Sequence, residues 1–197
     1  GGLIVDSLNQ LSSFYGQYSP STKLAIFNDS VRLENEQFTL YSNTLHYNTD
    51  SKIATILGPS IIVSDSGTIY SSRGWYDTVN NTSLLLDRSQ VVSGDRFLEF
   101  SQGDTLFLHG DTLKMTTVDS LYREVKAYYG VRFYRTDMQG VCDSMQFNTR
   151  DSILYMYTDP IVWNEQYQIY GDTILIFMND SSIDFAHVKQ FAFAIQQ

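Results

Sequence analysis

Three histidines (His46, His109 and His187), one cysteine (Cys142) and a recurring set of aspartates are the side chains with which this chain could do chemistry. A zinc site needs His or Cys ligands at short, regular spacing, and each histidine here stands far from any partner of that kind. A nucleophilic thiol needs a base or cation to lower its pKa. Cys142 is flanked by Val141, Asp143 and Ser144, so it reads as a small buried thiol in a strand, and as the only cysteine it has no internal disulfide partner. The aspartates recur as Gly-Asp-Thr and Asn-Asp-Ser. Paired carboxylates do acid and base work, but recurrence at every turn marks these as turn residues. The chain contains neither a Gly-x-Ser-x-Gly elbow nor a Gly-x-x-x-x-Gly-Lys phosphate loop. Asn28, Asn80, Asn81 and Asn179 begin Asn-x-Ser/Thr triplets, a pattern that a turn-rich chain generates by composition. These residues predict no enzyme, no metal and no cofactor.

The elements that carry them repeat. Ser13 and Ser42, Tyr18, Tyr47 and Tyr76, Lys23 and Lys52, Ala25 and Ala54 stand at one interval of about 29 residues. Asp143-Ser-Met-Gln-Phe and Asp172-Thr-Ile-Leu-Ile are offset by the same interval. Units begin near Ser13, Ser42, Ser71, Asp111, Asp143 and Asp172, with a stretched junction between Gly94 and Gly110. Within a unit the pattern has period two, as in a strand with one wet face. Leu45 and Tyr47 flank His46, Leu113 and Met115 flank Lys114, Met145 and Phe147 flank Gln146, and Val131 and Phe133 flank Arg132. Asn, Asp and Ser clusters mark the turns at 19–21, 48–51, 79–82, 148–151 and 179–182. Gly58-Pro59 predicts a bend. The stretch 119–129 alternates as a strand, and the whole chain reads as antiparallel β of eleven to thirteen strands.

Composition bounds the function. The 197 residues carry a net charge of -9, and 43% are hydrophobic. That is a globular composition without the basic footprint of a nucleic-acid binder. No apolar run has the length of a membrane helix. A transmembrane barrel needs an apolar outer face, and the alternate positions here include Arg32, Glu34, His46, Lys114 and Arg132. The 14 Tyr and 12 Phe residues serve either as carbohydrate platforms or as core, and the alternation favours core. Opening at Gly1-Gly2-Leu3 without an initiator Met or a secretory pattern, the chain reads as a fragment of a longer protein.

The pattern (Ser/Gly)-Asp-(Ser/Thr)-apolar-x-aromatic, a polar turn, then a strand ending near Ser-(Ile/Val)-x-Val resembles the OstA/LptA-like family. The stretches 41–76, 128–134 and 139–144 are similar to the longer OstA-like proteins of Bacteroidetes. The resemblance implies an all-β, repeat-built open twisted jellyroll of two facing antiparallel sheets, forming a single domain over 1–197. It implies a periplasmic lipid carrier or bridge segment for outer-membrane biogenesis, with outer-membrane association left open. Its partners would be lipopolysaccharide or another acyl lipid, and itself or other transport components through end-to-end strand pairing. The expected lipid groove is lined by Leu45, Tyr47, Ile61, Val63, Leu113, Met115, Val131, Phe133, Met145, Phe147, Ile161, Trp163, Ile174 and Ile176. The other reading of the residues is a structural or adhesive β-repeat module that binds protein or glycan through exposed aromatics.

Overall fold

The computed structural model describes residues 1–64, 67–87, 89–93, 106–119, 122–178 and 183–196, of which 89–93 and 119 are described by their backbone alone. The turn expected at 179–182 and the junction residues 94–105 lie outside these. The described residues form strands β1 (Gly2–Val5), β2 (Gln10–Ser13), β3 (Tyr15–Ser19), β4 (Leu24–Glu34), β5 (Phe38–Asn48), β6 (Ile53–Ile56), β7 (Ser60–Ser64), β8 (Gly67–Ser71), β9 (Arg73–Asp77) and β10 (Thr82–Leu86). There follow β11 (Ser89–Ser93), β12 (Leu106–Gly110), β13 (Thr112–Asp119), β14 (Tyr122–Arg135), β15 (Met138–Asn148), β16 (Ile153–Tyr157), β17 (Ile161–Trp163), β18 (Tyr167–Tyr170), β19 (Thr173–Met178), β20 (Ile183–Lys189) and β21 (Phe193–Gln196).

All 21 strands belong to one antiparallel hydrogen-bonded sheet. It is folded double along a crease, because pairing partners change at one point in every rung. The first layer runs β1, β2, the second half of β4, the first half of β5, β7, β8, β11, β12, then the second half of β14, the first half of β15, β17, β18 and β21. The second layer runs β3, the first half of β4, the second half of β5, β6, β9, β10, β13, the first half of β14, the second half of β15, β16, β19 and β20. This is the open, twisted jellyroll, with strand edges at both ends of the stack that are unpaired among the described residues. The strand count of eleven to thirteen falls short because most rungs break in two at the crease.

The sequence repeat is the geometry of this crease. Ser13, Ser42 and Ser71 sit at its apex, where the ladder breaks and carbonyls lose their partners. Each hydroxyl donates across the corner, to the carbonyls of Tyr15 at 2.6 Å, Thr44 at 3.0 Å and Arg73 at 3.0 Å. In β4 and β14 the corner is a pair of left-handed residues, Asp29 and Ser30 at φ 61° and 53°, and Tyr129 and Gly130 at 63° and 65°. Thr158 and Asp159 do the same between β16 and β17. Gly58-Pro59 is the corresponding corner between β6 and β7, as the sequence predicts.

At the open side, hairpin turns are held by Asx side chains. Asn35 Oδ1 accepts from the amides of Gln37 and Phe38, Asn48 Oδ1 from Asp50 and Ser51, and Asp77 Oδ1 from Val79 and Asn80. Lys23, Lys52, Asn81 and Ser152 take the left-handed position of the second-layer turns, at φ 57°, 59°, 49° and 51°. That role accounts for the repeat of Lys23 at Lys52, and the turn at Asn48 fixes the register of the strands beside it.

Candidate functional site between the two layers

Alternation sends one apolar side chain in every two toward the facing layer, and the about 29-residue period stacks these side chains into ladders. Leu11, Leu40 and Ile69 form one in the first layer, and Phe27, Ile56 and Leu85 one in the second, all buried. The result is an apolar interior that runs from rung to rung through the stack. Each fully buried Leu, Ile or Phe contributes roughly 1.5–3 kcal/mol of transfer free energy.

Of the residues expected to line a groove, Leu45, Tyr47, Leu113, Val131, Phe133, Met145, Phe147, Ile174 and Ile176 are buried between the layers. Met115 is half-buried, packed against that core. Four point elsewhere. Ile61 and Val63 are 38% and 41% exposed on the outer face of the first layer, and the inward side chain between them is Ile62. Ile161 and Trp163 are half-buried on the same outer face, with Val162 directed inward. The reason is local: Ile61-Ile62-Val63 and Ile161-Val162-Trp163 are three apolar residues in a row, so alternation alone does not say which faces in. The about 29-residue ladder does, since Ile62 continues Leu33 and Val162 continues Phe133. The same ladder marks Phe27, Leu40, Ile56, Leu154 and Met156, interior residues absent from the expected set.

At the mouth marked by Phe38 and Tyr76 the two layers approach one another closely. The gap at the mouth, bounded by Phe38, Ile62, Ile69, Tyr76, Met115, Arg123 and Val125 among others, is about 60 Å³. That is the volume of about two waters. Phe38 of the first layer meets Tyr76 of the second with ring centroids 4.4 Å apart.

A polar latch closes the mouth at the N-terminal end. Asp6, in the turn between β1 and β2, binds Lys52 Nζ through Oδ2 at 2.8 Å and accepts from the Tyr47 hydroxyl at 2.9 Å. Asn9, 2% exposed, donates to the Tyr47 oxygen at 3.0 Å and to Thr78 Oγ1 at 2.9 Å. Burial by itself would raise the Asp6 pKa, but hydrogen bonds from Lys52, the amides of Leu8 and Asn9, and Tyr47 outweigh it and hold the carboxyl at about 2. Burial, then the neighbouring Asp6, push Tyr47 to about 12. Arg135, 1% exposed at the mouth end of β14, pairs with Asp137. Burial and the charge of Asp143 raise the Cys142 thiol to about 12, which leaves it a packing residue of the interior. Among the described residues, no cluster of His, Cys, Asp and Glu has the geometry of a metal site.

The sequence model of the family described as OstA-like protein matches residues 1–43 and 30–99. Among solved structures, the chain is similar to LptH, the LptA-homologous periplasmic component of the lipopolysaccharide transport device of Pseudomonas aeruginosa. That similarity has 7% identity and a TM-score of 0.29, over 96% of this chain and 94% of that one. No curated protein matches the sequence.

Proposed function

The chain belongs to the OstA-like protein family, and from that premise we propose that it is a periplasmic lipid carrier, a bridge segment that holds the acyl chains of lipopolysaccharide or a related lipid between its two layers. In this reading residues 1–197 form a single β-repeat domain whose task is transport for outer-membrane biogenesis, not catalysis. The observation that supports it is the apolar interior, which continues across consecutive rungs and is bordered at the mouth by polar turns. Acyl chains take the place of layer-to-layer packing around Leu45, Tyr47, Leu113, Met115, Val131, Phe133, Met145, Phe147, Ile174 and Ile176, with Ile62 and Val162 in place of their outward-facing neighbours.

The energetics suit exchange. An acyl chain gains about 0.8 kcal/mol per buried CH₂, and the interior loses apolar contacts of like kind as the layers part. The two terms nearly offset, so the polar contacts across the mouth, Asp6–Lys52 and Asn9–Thr78, set much of the cost of opening. The head group stays at the mouth in water. End-to-end pairing through β1 and β3 at one end and β20 and β21 at the other would join successive interiors into one path.

The test is to place a photo-crosslinking amino acid at Phe133, Met145 or Ile61 and incubate each protein with lipopolysaccharide. Lipid adducts at the two interior positions and none at Ile61 support the carrier. Adducts at none of the three, together with no acyl lipid in extracts of the purified protein, overturn it.

A further inference from the structure

The outer face of the first layer carries aromatic side chains that the interior does not use. On the row nearest the crease, Ser12, Arg32, Tyr41, Ile61 and Tyr70 stand on successive strands. A hollow of about 850 Å³ lies over them, walled on the crease side by Asn43, Pro59, Ser72 and Asp87. Farther along the same face, Phe107, Tyr134, Gln139 and Trp163 stand on successive strands. With His109 and Arg132 they enclose a second hollow of about 370 Å³. The two hollows share one plan. Tyr41 and Tyr70, and again Tyr134 and Trp163, are about 29 residues apart and two strands apart, which places them about 10 Å from each other. The repeat that fills the interior also sets rings at a fixed spacing on the outside. Beside the second pair, His109 Nδ1 is buried without a hydrogen-bond partner among the described residues.

We propose that this outer face binds a neutral oligosaccharide. A pyranose ring has a flat C–H face that stacks on an aromatic side chain and a rim of hydroxyls that hydrogen-bond in the ring plane. Rings about 10 Å apart match every second sugar of an extended chain. The groups between and beside the rings are the complement of its hydroxyls: Ser12, Asn43 and Ser72 in one hollow, and Gln139, Arg132 and the unpartnered His109 nitrogen in the other. Ile61 stands between Tyr41 and Tyr70, and Phe107 beside Tyr134, but hydroxyl, amide and guanidinium groups line much of the rest of both hollows, which favours a saccharide over an apolar protein partner. The choice of a neutral ligand follows from the net charge of -9 and from the first hollow, whose nearby cations are already paired, Arg32 with Glu34 at 3.0 Å and Arg73 with Asp87 at 3.2 Å; in the second hollow Arg132 serves as a hydroxyl partner. The proposal does not rest on lipid occupying the interior.

The experiment titrates the whole chain with neutral hexasaccharides of α- and β-linked glucose, mannose, galactose and N-acetylglucosamine, and with delipidated polysaccharide from lipopolysaccharide. Binding is read by calorimetry, and by the part of the tryptophan emission that Trp163→Ala removes. Saturable binding of at least one saccharide is expected, weakened about tenfold or more by Tyr134→Ala or Trp163→Ala, and likewise by Tyr41→Ala with Tyr70→Ala. These side chains lie outside the core, so the variants keep the wild-type melting profile. A hexasaccharide that binds points to a free glycan as source, and delipidated polysaccharide alone points to the sugar part of a glycolipid. No saccharide binding at millimolar concentration, or binding that survives all four substitutions together, overturns the proposal. So does binding of intact lipopolysaccharide without any binding of its delipidated form.

Discussion

At the scale of single residues, the face a side chain takes decides its worth. Phe133 is buried and its neighbour Arg132 is exposed on the opposite face. Phe133→Asp places an unpaired carboxylate in the interior and is expected to cost about 3 kcal/mol or more. Arg132→Asp stays within about 0.5 kcal/mol, and melting temperatures of the two variants check the contrast. Equal losses would mean that the layers are not arranged as described. Asp6 gives a pH signature. Its folded pKa of about 2 lies below the ordinary 3.8, so the ionised carboxylate stabilises the closed mouth above about pH 4, and this contribution is lost as pH falls toward 2. Asp6→Asn is expected to destabilise by about 1–3 kcal/mol at neutral pH, with the difference from wild type shrinking in urea titrations between pH 4 and 2. A pH-independent difference would show that Asp6 acts by packing alone. No sequence pattern announces this latch, because Asp6, Lys52 and Thr78 meet only once the two layers are stacked.

At the scale of strands and corners, the repeat was legible and the facing was only partly so. Ser13, Ser42 and Ser71 recur because the apex of each corner needs a small side chain with a hydroxyl. Tyr47 and Tyr76 recur because the same inward position comes round in the next unit. The alternation around His46, Lys114, Gln146 and Arg132 gave the correct faces. It gave none for Ile61-Ile62-Val63 or Ile161-Val162-Trp163, where three apolar residues erase the contrast that period two depends on. The fold within β4 was hidden too, since Asp29-Ser30 reads as an ordinary polar pair inside a strand. One glycine tests the corner geometry. Gly74 holds φ +146°, and a Cβ there would lie 2.2 Å from the Leu84 carbonyl oxygen. Gly74→Ala is expected to cost roughly 3 kcal/mol or more. Gly58→Ala would meet nothing closer than 3.9 Å and is expected to be nearly neutral. Chemical denaturation of the pair checks this, and a neutral Gly74→Ala would contradict the β9–β10 pairing.

At the scale of the whole molecule, both ends of the stack present strand edges. Among the described residues, β1 and β3 at one end, and β20 and β21 at the other, have a partner on one side only. Leu3, Val5, Phe193 and Ile195 are exposed beside these edges. Wild-type protein is expected to self-associate with rising concentration, and Lys at both Leu3 and Ile195 to keep it monomeric, because edge charges block strand addition. Sedimentation at several concentrations measures this, and a monomeric wild type at the highest of them would rule out end pairing by this chain alone. The crease has a separate consequence for length. Each circuit from one Ser corner to the next lays down two strands in each layer, and neighbouring circuits touch only through the strands they share. Adding or deleting one whole circuit therefore keeps every inward and outward assignment, while a partial insertion inside a circuit turns the faces over. The molecule is a ruler graduated in steps of about 10 Å, and relatives that must reach farther can do so by counting circuits without redesigning any one of them.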